Sequence, residues 1–452
     1  MGGEEKLVLE DASEPDPLPD GSLLAFRHNA QHQLQLVRFW PDTGKLQGLP
    51  IRIESSLSNC NLRVFPGGHE AVILGIPIPD GGDTTSHLYI LNVDSGAMRR
   101  LAAGTIDEST VSSAVPSPDG KTVVVASVAG SLFTRISAIP VGGGPVRSLF
   151  TLTRQVWTLD MGSDGSIYVD QVSRQANLLR FPPQGGKTER LATYPSPGYV
   201  QETLAVLPDG RAVLAETAGG RTRLMIVEAG KDPVRLANTQ EETSGPVTPV
   251  GASEAAFLIG PPSRRAIAIV NVANGRIVRR ISFDKGPIAA LAAAPDGKTL
   301  YAAANGTVWS IAAGEASQNS PKKIRAGDAV AADPNGQFLL VESVETPNIR
   351  LLRVPLNGGP EQEIPAMGAF APANVIVPGG VDKEGRILTP LGALTFFWPP
   401  GMVDSRTGRW SRIAVDAALD YHQMAWTPDG KILALALDQQ ATMWKFRATP
   451  DR

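Results

Sequence analysis

A turn of the form Pro-Asp-Gly recurs along the whole chain, and each copy is followed by a short run of β-forming residues. Five copies match in full, at Asp20, Asp119, Asp209, Asp296 and Asp429. Five degenerate copies are centred on Gly67, Asp164, Gly251, Asn335 and Glu384. These ten residues, called the turn positions below, follow one another at intervals of 39 to 52 residues. A strand-rich repeat of this length restricts the fold to a few repeat architectures.

The chemistry of the turn explains why it recurs. Proline fixes φ near the value that the second residue of a type I turn needs. Aspartate hydrogen-bonds to its own backbone, and glycine adopts a positive φ without steric cost. Each copy therefore predicts a tight turn between two antiparallel strands.

One repeat contains four strands. In residues 107–152 the predicted strands are 111–117, 121–129, 131–141 and 145–152, with a glycine-rich hairpin loop before the last. The same order fits residues 289–327 and 328–365. Four strands per repeat and a period near 45 residues predict an all-β fold, a β-propeller of four-stranded blades with about ten repeats.

The two ends of the chain complement each other. Residues 7–10 form a fourth strand without a preceding third strand, and residues 441–447 form a third strand without a fourth. We therefore expect one blade to be closed by both termini, which removes exposed strand edges. The predicted domain is a single array over residues 1–452. The alternatives are two rings that share the repeats, or a partial propeller at 1–144 followed by a seven-bladed propeller at 145–452.

Composition excludes several classes of partner. The chain has 452 residues, 42% hydrophobic residues and a net charge of −3, so we expect neither nucleic acid nor a membrane as a partner. A lone cysteine, Cys60, excludes an internal disulfide. The N-terminal residues lack the apolar core of a signal peptide, and we find no apolar segment of about 18 residues. We expect a soluble chain, extracytoplasmic if it belongs to a longer receptor and cytoplasmic otherwise.

The repeats resemble those of the bacterial WD40-like propellers with PD40 repeats. The matching segments are WTPDGKILALAL, PSPDGKTVVVAS and LPDGSLLAF, and residues 271–311 are similar to a YVTN-type propeller repeat. The array is also similar to the C-terminal propeller of eukaryote-like Ser/Thr receptor kinases. This resemblance implies a sensor or interaction module, but the chain has no kinase motif. Because turn and core residues carry the match, it indicates the fold more than the activity.

Catalytic and metal-binding motifs are absent from the sequence. There is no HExxH, CxxC, EF-hand loop or GxSxG motif. The spacing of His28 and His32 suits a helix, but they flank a predicted strand loop. We therefore expect no catalytic residue, no metal and no cofactor.

Propeller geometry gives a candidate binding site. First strands of the blades line the central channel, so residues at one offset from the turn positions gather at one mouth. Seven residues before each turn position lie Ser13, Cys60, Ser112, Trp157, Glu202, Ser244, Ala289, Asp328, Val377 and His422. The members we select as ligand-binding residues are Trp157, Glu202, Asp328 and His422. Aromatic, acidic and imidazole groups around one opening suit a protein segment or a small polar ligand.

Two classes of function follow from this site. The first is a non-catalytic binding propeller, a sensor or interaction module, and we favour it. The second is a propeller enzyme such as a metal-dependent lactonase, which needs Glu, Asn and Asp side chains near the channel centre. Glu202, Asp328 and Asn374 are the residues that could supply them.

Overall fold

A computed structural model describes residues 7–10, 12–28, 34–53, 61–75, 77–78, 86–101, 105–129, 133–195, 203–218, 221–261, 264–314, 320–345, 348–365, 371–372, 376–392 and 398–447. These residues are almost all strands and turns, and the 3-10 helix η1 covers only Glu108–Thr110. The chain forms two compact units. The first contains Met1–Ser173 and Gln439–Arg452, and the second contains Arg174–Asp438.

The repeated turn forms wherever the sequence predicts it. In nine of the ten copies the turn glycine donates a backbone hydrogen bond of 2.8 to 3.0 Å to the carbonyl three residues earlier. In four of the five full copies the aspartate also accepts from the backbone two residues later, as Asp119 does from the nitrogen of Lys121 at 3.0 Å. The tenth copy turns at Gly251, whose φ is +58°.

The first unit contains three complete antiparallel sheets in the described residues. The first is formed by β1 (Ala12–Pro17), β2 (Leu23–His28), β3 (Leu34–Trp40) and β4 (Lys45–Ile53). The next strands along the chain are β5 (Asn61–Val64), β6 (Glu70–Gly75), β7 (Pro77–Ile78), β8 (His87–Asn92) and β9 (Met98–Arg100). Of these, β7 adds to the first sheet beside β4, and the others form the second sheet. The third sheet is formed by β10 (Val111–Pro116), β11 (Thr122–Ala129), β12 (Phe133–Pro140) and β13 (Arg147–Leu152).

Two long strands run through the boundary between the units. They are β15 (Ile167–Phe181), which follows the short β14 (Leu159–Met161), and β38 (Ile432–Phe446) at the end of the chain. The two are neighbours in one sheet. The part of this sheet in the first unit consists of β14, residues 167–173 of β15 and residues 439–446 of β38. The part in the second unit consists of residues 174–181 of β15, residues 432–438 of β38, β16 (Glu189–Pro195) and β37 (Asp420–Trp426).

The second unit adds five four-stranded sheets within the described residues, each with strand order equal to chain order. They are formed by β17 (Leu204–Val206), β18 (Ala212–Ala218), β19 (Arg221–Val227) and β20 (Val234–Arg235); by β21 (Thr243–Val250), β22 (Glu254–Ile259), β23 (Ala266–Asn271) and β24 (Arg276–Ile281); by β25 (Ile288–Ala293), β26 (Thr299–Ala304), β27 (Thr307–Ala312) and β28 (Lys322–Ala326); by β29 (Ala329–Ala332), β30 (Phe338–Glu345), β31 (Asn348–Pro355) and β32 (Gln362–Ile364); and by β33 (Ala371–Pro372), β34 (Arg386–Gly392), β35 (Pro400–Asp404) and β36 (Trp410–Arg412).

Hydrophobic clusters fill the spaces between successive sheets. In the second unit six clusters join each sheet to the next, and the one containing Leu178, Leu204 and Leu433 joins the sheet of β37 to that of β17. In the first unit three clusters join the four sheets in chain order. First strands of neighbouring sheets contact one another in both units. The chain is therefore an all-β protein of propeller type, built from four-stranded blades.

The predicted closure by the two ends of the chain is not confirmed. Residues 7–10 lie outside the strands, and the side chains of Leu7 and Val8 are exposed. Residues 441–446 belong to β38, whose neighbour in the first unit is β15. The compact units meet along the chain at Ser173 and Asp438, and the predicted domain boundaries stay predictions.

Candidate functional site

In five of the six sheets of the second unit, the first strand begins five to nine residues before its turn position, whereas β33 begins thirteen residues before Glu384. We define the inner rim as the residues six to eight before the turn positions of the second unit. It comprises residues 201–203, 243–245, 288–290, 327–329, 376–378 and 421–423. Residues 201 and 202 lie outside the described part of the chain. The rim therefore contains the second-unit residues that the repeat offset selects.

The four selected ligand-binding residues fall into different parts of the structure. Asp328 and His422 both lie on the inner rim. Trp157 holds the equivalent position in the first unit, where it is half-buried and its backbone nitrogen donates to Asp170 Oδ1 at 2.8 Å. Glu202 lies outside the described residues. Of the four, Asp328 and His422 therefore belong to the second unit and Trp157 to the first, and their common role as ligand-binding residues stays a prediction.

A β-bulge explains the special place of the residue seven before the turn. In β10, β25 and β37 the strand register slips by one residue at that position. The extra residues of these three bulges are Ser112, Ala289 and His422. A bulge bends the strand and re-aims the extra side chain, and bulges are frequent next to binding sites.

The other residues at this offset differ in environment. Ser13 and Ala289 are exposed, Ser244 and Val377 are buried, and Cys60 lies outside the described residues. The Ser112 hydroxyl donates to the carbonyl of Val156 at 2.8 Å, so it links two sheets of the first unit. The common distance from the turn therefore determines where a residue lies along its strand. The residues that surround the side chain determine whether it is exposed.

His422 is held by two residues that the offset did not select. Its Nε2 lies 3.1 Å from Asp420 Oδ2, and its ring centre lies 5.2 Å from that of Trp398. Asp420 Oδ1 also accepts from the backbone nitrogen of Trp398 at 2.9 Å. Both His422 and Asp420 are buried. An imidazole oriented by a carboxylate and an indole can make a directed hydrogen bond to a ligand.

Asp328 lies beside a buried carboxyl group that sequence reasoning missed. The backbone nitrogen of Asp328 donates to the carbonyl of Glu342 at 2.7 Å. Glu342 is opposite Ala329 in the sheet, and its side chain is only 2% exposed. Its Oε2 accepts from the backbone nitrogen of Ile376, in the next sheet, at 3.4 Å. Burial raises the pKa of Glu342 to about 7, and the nearby Asp328 charge adds to the rise.

A repeated hydrogen bond between sheets gives Glu342 a structural context. Asn61, Ser113 and Gln423, each six residues before a turn position, accept from a backbone nitrogen in the next sheet, at 3.2, 3.1 and 2.6 Å. Ala329 holds the same position and cannot accept. Glu342, its cross-strand partner, supplies the acceptor from the second strand instead. An acid directly after the apolar run FLLV is the sequence signal for it.

The first unit has a separate buried ion cluster. Glu108 of η1 accepts from the backbone nitrogen of Leu88 at 3.2 Å and pairs with His87 Nδ1 at 2.8 Å. Arg100 binds the same carboxylate. These contacts fasten η1 to β8, so the cluster has a structural role.

The described residues contain neither a candidate metal site nor a helix that could span a membrane. Within them, no group of three or more His, Cys, Asp or Glu side chains is arranged to hold a metal ion. No helix of these residues has the length and apolar character needed to cross a bilayer. Asn374, a candidate for the lactonase alternative, lies outside the described residues.

Comparison with known proteins finds a likeness to solved structures only. No protein-family model and no curated protein match the chain. A TolB candidate from Agrobacterium tumefaciens is 15% identical, with 61% of this chain and 100% of that chain covered and a TM-score of 0.42. TolB from Acinetobacter baumannii is 12% identical, with 73% of this chain and 75% of that chain covered and a TM-score of 0.32.

A third likeness is to a sensor protein. The extracellular domain assigned to a hybrid two-component system of B. thetaiotaomicron is 12% identical, with 94% of this chain and 64% of that chain covered and a TM-score of 0.34. At these identities and TM-scores, the likenesses assign neither a function nor a partner to this chain.

Proposed function

We propose that this chain is a non-catalytic binding propeller, a sensor or interaction module of a bacterial signalling or envelope protein. Its ligand is a protein segment or a small polar molecule held at the inner rim. We expect Asp328, His422 and Glu202 to contact this ligand, and Glu202 lies outside the described residues. The setting in a signalling or envelope protein is supported by the sequence resemblance to PD40 and receptor-kinase propellers.

The bulge at His422 is the observation that carries the proposal. A regular strand would place this imidazole in the ladder, opposite a partner on β38. Instead, the register slips between Tyr421 and Gln423, and the imidazole of His422 contacts Asp420 and the ring of Trp398. A bulge disrupts the ladder locally and re-aims the extra side chain, and bulges are over-represented next to functional sites.

The experiment is an unbiased selection on the intact chain. Random peptides displayed on phage are selected on the wild-type protein, and the enriched peptides are titrated against Asp328→Asn and His422→Gln. We expect the dissociation constant to rise about tenfold or more in both variants, since each removes a directed polar contact. Glu363→Gln and His69→Ala are matched controls, because both residues are exposed, Glu363 lies on the fourth strand of its sheet and His69 belongs to the first unit.

Two results would contradict the proposal. Peptides that bind all five proteins equally would show that the inner rim is not the binding surface. Calcium-dependent thermal stabilisation, together with turnover of a lactone that Asp328→Asn loses, would instead establish the propeller-enzyme alternative.

A further inference from the structure

Among the described residues, the sheet of β14, β15 and β38 has no fourth strand in the first unit. The other three sheets of this unit have β4, β9 and β13 in the fourth place. In the last sheet, residues 439–446 of β38 hold the third place beside β15, and none of the described strands lies on their other side. An edge of this kind presents backbone N–H and C=O groups with which another strand can pair.

The exposure of β38 in the first unit fits the lack of a fourth strand. Residues 440–445 are six consecutive exposed residues. The third strands of the other sheets are covered, since β3 and β8 contain no exposed residue and β12 contains two among eight. Each of these third strands lies between two others. A fourth strand beside residues 440–445 would give them the surroundings of their counterparts, so the occupant that fits this edge is an extended strand.

The edge is held in place along its length by the first unit. Phe446 packs against the hydrophobic cluster between the last two sheets of the unit. Lys445 Nζ lies 5.1 Å from the ring centre of Tyr168, and the Ser173 hydroxyl donates to the carbonyl of Gln440 at 3.5 Å. Because these contacts already fix the segment on β15, an incoming strand meets a preformed edge and the entropy lost on binding is smaller.

The side chains of this segment define the chemistry of its occupant. Successive residues of a strand point to opposite faces, so Trp444, which is 49% exposed, shares a face with Phe446. On the other face, Lys445 and Arg447 both bind the carboxylate of Asp164, at 3.3 and 3.0 Å. Two positive charges thus share one negative charge. An acidic side chain on an incoming strand would add the second, and an apolar one would pack beside the indole.

We propose that the edge of β38 in the first unit binds an extended segment of a partner protein as its fourth strand, and that apolar and acidic residues alternate in this segment. The apolar side chains lie beside Trp444, and the acidic side chains lie beside Lys445 and Arg447. Backbone pairing gives a site of this kind its affinity, and alternate side chains give it specificity. These residues all belong to the first unit, so the edge is tested separately from the inner rim.

The probe is a fluorescein-labelled heptapeptide of alternating valine and glutamate, titrated against the intact chain by fluorescence anisotropy. Two further versions carry N-methyl groups on alternate residues, one on the odd and one on the even positions. In a paired strand only alternate N–H groups face the neighbouring strand. We therefore expect one N-methylated version to lose about tenfold or more in affinity, because several hydrogen bonds are removed, and the other to bind like the parent peptide.

Lys445→Glu tests the charge of the site. We expect its affinity for the glutamate peptide to fall about fivefold or more, and its affinity for a valine–lysine peptide to rise, because the cross-strand charge pair changes sign. Lys121→Glu is the matched control, since Lys121 is an exposed lysine of the first unit in the turn between β10 and β11. Unfolding temperatures confirm that both variants fold.

The same affinity for both N-methylated versions, or for the glutamate and lysine peptides, would overturn the inference, since neither result fits a paired strand of this chemistry. Failure of the glutamate peptide to bind the wild type would overturn it as well. So would a wild type that sediments as a dimer at the concentration of the titration and that Trp444→Lys makes monomeric, because a second copy of this chain would then occupy the edge. None of these results bears on the peptide selection at the inner rim.

Discussion

At the scale of the residue, Glu342 shows how one buried carboxyl group couples the fold to pH. Its pKa is raised from 4.5 to about 7, chiefly by burial, and the hydrogen bond from Ile376 lowers it only in part. The folded chain therefore retains a proton at pH values where the unfolded chain has released it. This group contributes stability that is complete below about pH 4.5 and is lost as the pH rises through 7.

We predict that Glu342→Gln removes this pH dependence. The loss in the wild type between pH 4.5 and 8 should be on the order of 3 kcal/mol, since each pKa unit is worth about 1.4 kcal/mol. Glutamine keeps an acceptor for Ile376 and does not ionise, so the variant should be the more stable protein at pH 8. Denaturant unfolding at pH 5 and pH 8 measures the difference. Glu363→Gln, at an exposed acid paired with Arg350, is the control. A parallel pH dependence in Glu342→Gln and wild type would contradict the assignment.

The sequence predicts part of the candidate site at this scale. Counting back from the turns finds Asp328 and His422 because one blade geometry repeats along the chain. It cannot find Asp420, Trp398 or Glu342, since these reach the rim through strand pairing and through contacts between strands that are distant in sequence. Register depends on which residues pair, and the turn motif alone does not fix it.

At the scale of the element, β15 and β38 are the strands that the repeat did not predict. Each continues for 15 residues where the repeat order predicts two strands with a hairpin between them. Neither contains a Gly or Pro, whereas the hairpin between β26 and β27 turns at Asn305 and Gly306, both with positive φ. Without a glycine, which adopts positive φ at no steric cost, a tight hairpin is less favourable and the strand continues.

The second half of β38 leaves a strand edge uncovered in the first unit. Within the described residues, Gln439–Phe446 has β15 on one side and no strand on the other. Trp444 and Met443 are exposed on this segment, although Phe446 stacks on Phe150 with ring centres 4.6 Å apart. An apolar, unpaired edge of this kind favours pairing with another chain.

We predict that Trp444→Lys reduces self-association at high protein concentration. A charged side chain on an edge strand opposes edge-to-edge pairing, and Trp444 is half-exposed, so the unfolding temperature should change little. Light scattering over a concentration series measures the effect. Phe133→Lys is the matched control, because Phe133 is a similarly exposed aromatic residue on β12, which has strands on both sides. An equal reduction in both variants would mean that exposed apolar area, and not the edge, causes the association.

At the scale of the whole molecule, the second unit has all its sheets within one continuous stretch of chain. Residues 174–438 include the parts of β15 and β38 that belong to this unit, residues 174–181 and 432–438. Six hydrophobic clusters join its sheets. The repeat predicts all ten turns, but the division into units depends on β15 and β38, which continue past the place where a turn is predicted.

We predict that a fragment of residues 174–438 folds by itself. Its circular dichroism spectrum should indicate strands, with helix below about 15% of residues, and its unfolding should be cooperative. Residues 1–173 alone lack the β38 strand of their last sheet and should unfold less cooperatively. A fragment 174–438 without a cooperative transition would show that the second unit needs the rest of the chain.

The positions of β15 and β38 in the chain also determine when these two strands can pair during protein synthesis. A ribosome makes residues 167–173 early, but their neighbours in the sheet, residues 439–446, emerge only after the whole second unit has been synthesised. At about 5 to 20 residues per second, that interval is on the order of tens of seconds. During synthesis, residues 167–173 of β15 therefore lack their β38 neighbour while the second unit can already fold. Translation speed, as well as sequence, then affects how much of the nascent chain reaches the native state.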